Sequence, residues 1–266
     1  MKGWLVGLTL MVVLVASGIG LWITWDSTQT TTAGPLVASN RSALIPPTTD
    51  VTSPSTTTVP APPPCTPGDE VVTADPSTEW ATIAIDPGHR LPETYAPIDL
   101  VSVAQAGFES EDQVRAIVID DLAALRAGAE ANGTPIVVIS GYRSFVYQQT
   151  LFQRSVDEAG EAAAALTTAR PGHSEHQLGT VVDVLDPGVG ELTPEFALTP
   201  AGQWIAAHAH EYGFVVSYPE GANDRSCYEF EPWHLRYVGR DVAASIHESG
   251  LTPREWMIAS RANAPA

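Results

Sequence analysis

His173-Ser174-Glu175-His176-Gln177-Leu178-Gly179-Thr180-Val181-Val182-Asp183-Val184-Leu185 is the stretch on which the reading of this chain turns. Gly179 to Leu185 is rich in β-branched aliphatic residues, as a buried strand is, yet it encloses an aspartate. An ionised carboxylate taken out of water is costly unless a cation or several donors meet it, and zinc bound by His and Asp is one efficient solution. His176 lies seven residues upstream of Asp183, and Gly179 permits a turn between them, so an imidazole and a carboxylate can converge on one ion. The alternative is a buried ion pair between Asp183 and an arginine.

A third candidate ligand comes from Phe230-Glu231-Pro232-Trp233-His234-Leu235-Arg236-Tyr237, where a glutamate precedes a histidine by three in a segment expected to be extended. Pro232 cannot donate to a sheet ladder, and a bulge or edge position there would turn Glu231 and His234 to the same side. Zinc held by two His and one Asp keeps a position open for water, the pattern of a catalytic site, and Glu231 is the natural base for that water. Read blandly, Glu231 is a strand-edge carboxylate. His89, His208, His210 and His247 are read as packed or surface residues.

Working outward, mixed helices and strands predict an α+β fold. Ser110-Glu111-Asp112-Gln113 reads as a capping box, with Val114, Ile117, Val118, Leu122 and Leu125 following at helical spacing until Asn132-Gly133. Pro135 to Ile139 reads as a buried strand, and Ser144 caps a helix reaching towards Glu158, which puts Arg143 at the strand-to-helix corner. Thr199-Pro200 and Thr252-Pro253 are helix starts, while Phe214 to Ser217 and Tyr228 to Tyr237 are further strands.

The 266 residues carry 13 Lys plus Arg against 31 Asp plus Glu, a formal charge of −18, which argues against nucleic acid as a partner. The single lysine is Lys2, and its position excludes a lysine-dependent serine peptidase, a P-loop and a Schiff base. Residues 3–25 hold no formal charge, long enough for a membrane anchor over 1–25, with a cleaved signal peptide as the rival reading; both export the remainder of the chain. Residues 26–64 contain 10 Thr, 5 Ser and 8 Pro and read as a disordered stalk, leaving 65–266 as the folded domain. The two cysteines, Cys65 and Cys227, read as a disulfide in an exported chain.

Three ordered blocks closely resemble the VanY-type D-alanyl-D-alanine carboxypeptidases. They are Ser140-Gly141-Tyr142-Arg143-Ser144 with Gln148 and Leu151-Phe152; Ser174-Glu175-His176-Gln177-Leu178-Gly179 with Asp183; and Glu231-Pro232-Trp233-His234-Leu235-Arg236-Tyr237-Val238-Gly239. Weaker similarity extends the resemblance to roughly residues 85 to 245. It implies a zinc peptidase of the fold shared with lysostaphin-type enzymes and the hedgehog signalling domain, a small antiparallel sheet flanked by helices. His176, Asp183 and His234 would bind one zinc ion, and Glu231 would shuttle the proton of a zinc-bound water. Arg143 would hold the scissile carbonyl oxygen, with a plain salt bridge as its alternative, and Ser174 and Gln148 would hold substrate. Val181, two before the aspartate, and the loop Gly221 to Cys227 depart from the family pattern and bear on specificity.

The function so implied is removal of the terminal D-alanine from peptidoglycan stem peptides or lipid-linked precursor on the outer side of the cell membrane, with the N-terminal helix as tether. Dipeptide, tetrapeptide (L,D) and cross-bridge substrates are not separated by the sequence. The rival from another class is a catalytically silent, zinc-containing wall-binding or sensing module, against which the presence of Glu231 speaks.

Overall fold

A computed structural model describes residues 62–262. The anchor read over 1–25 and nearly all of the stalk read over 26–64 lie outside the described residues. No helix among the described residues is long and apolar enough to cross a membrane.

The described chain mixes eight strands and seven α-helices. In order these are β1 (Glu70–Val71), β2 (His89–Arg90), β3 (Leu100–Ser102), β4 (Gln113–Arg115), α1 (Ile119–Ala131), β5 (Val137–Ser140), α2 (Phe145–Ala159), α3 (Glu161–Thr167), β6 (Val181–Leu185), α4 (Pro200–His208), β7 (Phe214–Val216), α5 (Asn223–Ser226), β8 (His234–Tyr237), α6 (Arg240–Ser249) and α7 (Pro253–Ala262). The central sheet has the order β5-β6-β8-β7 and is antiparallel throughout. Two-stranded pairs β1-β2 and β3-β4 lie outside it.

Strand β6 is buried at all five positions, and its alternation sorts them between two uses. Val182 and Val184 enter the main core with Leu235, Phe214 and Val138, against Leu122, Leu125 and Ala129 of α1 and Ile205 of α4. Asp183 points to the opposite face. Each fully buried Leu or Val side chain is worth ~1.5–3 kcal/mol, so this one-sided core fixes the register that presents Asp183.

The helix starts at Ser144, Thr199 and Thr252 are as the sequence predicts. Ser144 accepts from the Tyr147 N–H, Thr199 from Gly202, and Thr252 and Glu255 exchange backbone-to-side-chain bonds as a capping box. Two expectations are corrected. The pattern from Ser110 does not start a helix: Gln113–Arg115 pairs with Leu100–Ser102, and α1 begins only at Ile119. Val114 is buried through strand pairing, while Ser110 and Asp112 bond each other in a turn, so a tertiary partner overrides helical spacing. The strand expected over Tyr228 to Tyr237 exists only from His234 onward.

Cys65 and Cys227 form a disulfide, as expected. Around it, Pro63 accepts from Arg254 Nη2 at 3.0 Å, and Asp86 accepts from Arg254 Nε at 2.7 Å. The leading segment is thereby fastened to α7.

Candidate metal centre

Antiparallel register makes Asp183 the direct partner of His234, so their side chains share one face of the sheet. His176 arrives from the 3-10 turn Glu175–Leu178, which ends at Gly179 with φ 73°. A side chain at Gly179 would be strained by that backbone and would meet Arg115 and Pro97 at 3.0 Å. Three donor atoms, one each from His176, Asp183 and His234, all lie within 4.8 Å of one another, and all three residues are buried.

The surrounding hydrogen bonds select which atoms face inward. His176 Nδ1 bonds the Gly141 carbonyl at 2.7 Å, so the proton sits there and Nε2 keeps its lone pair, 3.3 Å from Asp183 Oδ1. Gly141 itself packs against the Gln113 backbone, whose carbonyl oxygen would clash with a Cβ there. His234 Nε2 donates to Glu175 Oε2 at 3.0 Å, leaving Nδ1 aimed at Asp183 Oδ1, 3.4 Å away. His176 Nε2 and Asp183 Oδ1 are buried without a hydrogen-bond partner. Buried acceptors left orphaned are expensive, and a divalent cation among them removes the cost, so the residues present fit a zinc ion.

Electrostatics point the same way. Burial would raise the Asp183 carboxyl, but His176, His234 and Arg143 outweigh it and hold it well below the usual carboxylate range. Burial and the Arg143 charge lower His176 to about 4, so it is neutral at pH 7. Burial alone would lower His234, but hydrogen bonds to Asp183 and Glu175, with the charges of Asp183 and Glu231, push it up to about 10. Without a metal, this pocket of carboxylates takes up a proton on His234. Burial, helped by Asp183 and Glu175, pushes Glu231 up to about 7.

Glu231 and His234 do share a side, through a turn instead of a bulge: the His234 N–H donates to the Glu231 carbonyl at 3.2 Å, and Glu231 Oε2 lies 3.6 Å from His234 Nδ1. Arg143 sits at the β5-to-α2 corner as expected, donating from Nη2 to Asp183 Oδ2 and from Nε to Ser140 Oγ. The salt-bridge alternative is therefore realised, and it leaves Nη1 free among the described residues. Arg143 also lines the cavity of about 600 Å³ that opens over the cluster. Ser174 and Gln148 are buried in the wall of the same cavity; Gln148 donates to the Ala169 carbonyl at 2.8 Å, and its Oε1 has no partner.

Sequence reasoning missed the support beneath the cluster. Glu175 receives His234, Ser217 Oγ at 2.6 Å and Arg236 Nη1 at 2.6 Å, and Arg236 is fully buried. His234 and Arg236 are two residues apart on one strand and so face the same way. The legible signal was a pair of opposite charges, Glu175 and Arg236, each beside a candidate ligand, His176 and His234.

Known proteins match this arrangement. The VanY family model, described as D-alanyl-D-alanine carboxypeptidase, matches residues 111–240. The Bacillus subtilis protein YodJ is 38% identical over 173 residues, covering 63% of each chain, so this chain spans less than two thirds of that relative's length. Among solved structures, the LdcB LD-carboxypeptidase superposes with a TM-score of 0.63 at 34% identity, covering 71% of this chain and 90% of that one. A mutant of the vancomycin-resistance D,D-pentapeptidase VanY in complex with Zn(II) gives 0.58 at 29% identity, covering 67% and 99%. On the three sequence blocks, the mixed helix-and-sheet fold and these matches, the chain belongs to the VanY family of D-alanyl-D-alanine carboxypeptidases.

Proposed function

We propose that this chain is a zinc-dependent carboxypeptidase that removes a terminal D-alanine from peptidoglycan stem peptides. The observation that carries the reading is the convergence of His176, Asp183 and His234 on one point, with two of the inward atoms buried and unpartnered. His176 Nε2, Asp183 Oδ1 and His234 Nδ1 would hold a zinc ion, which would supply Lewis acidity to the attacking water and the scissile carbonyl. Glu231 stands beside His234 and, with its carboxyl pushed up to about 7, suits a group that takes the proton of the attacking water and passes it to the leaving amine. Arg143 first fixes Asp183; from the cavity wall its remaining amino group would serve the developing oxyanion. Gln148 Oε1 and Ser174 Oγ offer polar contacts to a peptide in the cavity.

The substrate comes from the family description and the peptide-sized cavity, not from the metal cluster, which would serve D,D- and L,D-bonds alike. The 23-residue uncharged stretch at 3–25 supports a membrane tether that holds the domain on the outer side near nascent wall. Incubating purified protein with stem peptides of three, four and five residues, with and without chelator, tests the reading. Chelator-sensitive release of D-alanine is expected; none from any stem peptide refutes it.

A further inference from the structure

The cavity over the metal cluster continues along helix α2, past Gln148. Tyr147, Gln148, Leu151, Arg154 and Ser155 line it, at spacings of one, four, seven and eight residues from Tyr147. Those spacings form one stripe of an α-helix, so the wall is a continuous face of α2. The helix leaves the cluster at its Ser144 cap, beside Arg143. Arg154 lies ten residues past the Ser144 cap, ~15 Å along the axis at 1.5 Å per residue. That is the length of about four to five residues of extended peptide at ~3.3 Å each, within reach of a stem peptide.

Arg154 is exposed and makes no ion pair or hydrogen bond among the described residues, in a chain of formal charge −18. The other arginine on this wall, Arg143, is occupied by Asp183. Glu229 also lines the cavity and is not within ion-pair distance of Arg154, so it does not neutralise it. An arginine is a planar fork suited to a carboxylate, and nothing among the described residues uses this one.

We propose that Arg154 holds a free carboxylate of the substrate on the N-terminal side of the bond that is cut, and so sets which stem peptides this protein prefers. The inference rests on the peptidase reading and adds an acidic-peptide subsite to it. A peptide bound this way lies along α2 with its C-terminal end at the metal and its acidic residue at Arg154.

The test uses full-length, zinc-loaded protein and three synthetic pentapeptides. The parent is L-Ala-γ-D-Glu-X-D-Ala-D-Ala with X as meso-diaminopimelate. One relative replaces X by L-lysine and the other converts the glutamate carboxylate to an amide, so each lacks one carboxylate. Wild type should lose about tenfold in kcat/KM on one of the two relatives, while Arg154→Gln should treat parent and that relative alike. Equal rates on all three peptides in wild type, or a preference that survives Arg154→Gln, would overturn the subsite. If wild type cuts none of them, the peptidase reading fails separately. The same comparison is then made as binding affinity by calorimetry, and equal affinities, or a preference indifferent to Arg154→Gln, overturn the proposal there as well.

Discussion

Glutamine in place of Glu175 keeps the number of heavy atoms in the side chain and yet should disable the cluster from beneath. Glu175 accepts three hydrogen bonds, from Arg236, Ser217 and His234. A carboxamide offers one accepting oxygen and one donating NH2. If the oxygen stays with Arg236, the NH2 meets the His234 Nε2–H, and the imidazole must move its proton to Nδ1, the atom that faces Asp183. Loss of such a partner weakens metal affinity by about tenfold to hundredfold. In either orientation Arg236 loses its counter-charge, and if the oxygen turns to His234 it also loses its acceptor at Nη1, although the Trp80 and Ile83 carbonyls still accept from its Nη2 at 2.8 Å each. Breaking a buried pair in that manner costs about 3–5 kcal/mol. The pH dependence fixes the sign. Burial would raise Glu175, but Arg236, His234 and Ser217 bring it from 4.5 down to about 2. A carboxyl lowered on folding stabilises the native state fully above 4.5 and ceases to do so as pH falls through about 2, here about 3 kcal/mol in all. Zinc titration against a competing chelator at pH 7, and urea unfolding of metal-free wild type and Glu175→Gln at pH 7, 4 and 2.5, read both effects. Wild-type zinc affinity in the variant, together with a stability gap that stays constant from pH 7 to 2.5, would refute the reasoning.

Glu231→Gln should lower turnover by about a hundredfold to ten-thousandfold with zinc still bound, checked by kcat and metal content together; an active variant removes Glu231 from the proton path. Zinc binding at pH 8 should release about one proton per ion, because His234 is charged in the metal-free protein, whereas His176, lowered to about 4, is already neutral. Calorimetry in buffers of different ionisation enthalpy counts the protons, and a count of zero contradicts the assignment, whereas ionisation of a zinc-bound water would only add to it. Reducing the Cys65–Cys227 bond, which closes a sequence separation of 162, should cost about 2–4 kcal/mol in denaturant unfolding. It should also raise KM, since Tyr228, the next residue, lines the cavity.

What the sequence discloses is local chemistry with a local signature. Ser144, Thr199 and Thr252 announce helix starts because a cap needs only its own first turn. Asp183 declares itself as a charge within an aliphatic run, and His176 as its neighbour across a glycine turn. Val114 misleads because its partner, Val101, belongs to another segment and the helical spacing is accidental. The relation between Glu231 and His234 is read correctly in outcome and wrongly in cause, since a turn and a bulge place residues three apart on one side equally well. Least legible is the floor of the site: Glu175 and Arg236 are 61 residues apart, and the carbonyl that orients His176 belongs to a glycine 35 residues before it. Backbone acceptors leave no mark in residue identity.

The bridge between Cys65 and Cys227 also decides how the domain answers a mechanical pull. Strand β1 pairs with β2 over only two residues, a contact that tension on the preceding chain would peel open. With the bridge intact, load arriving at Cys65 crosses the sulfur atoms to Cys227 and bypasses everything between, including two of the three inward-facing donors, His176 and Asp183. Tension on that leading chain would then strain a covalent strap and leave His176 and Asp183 slack.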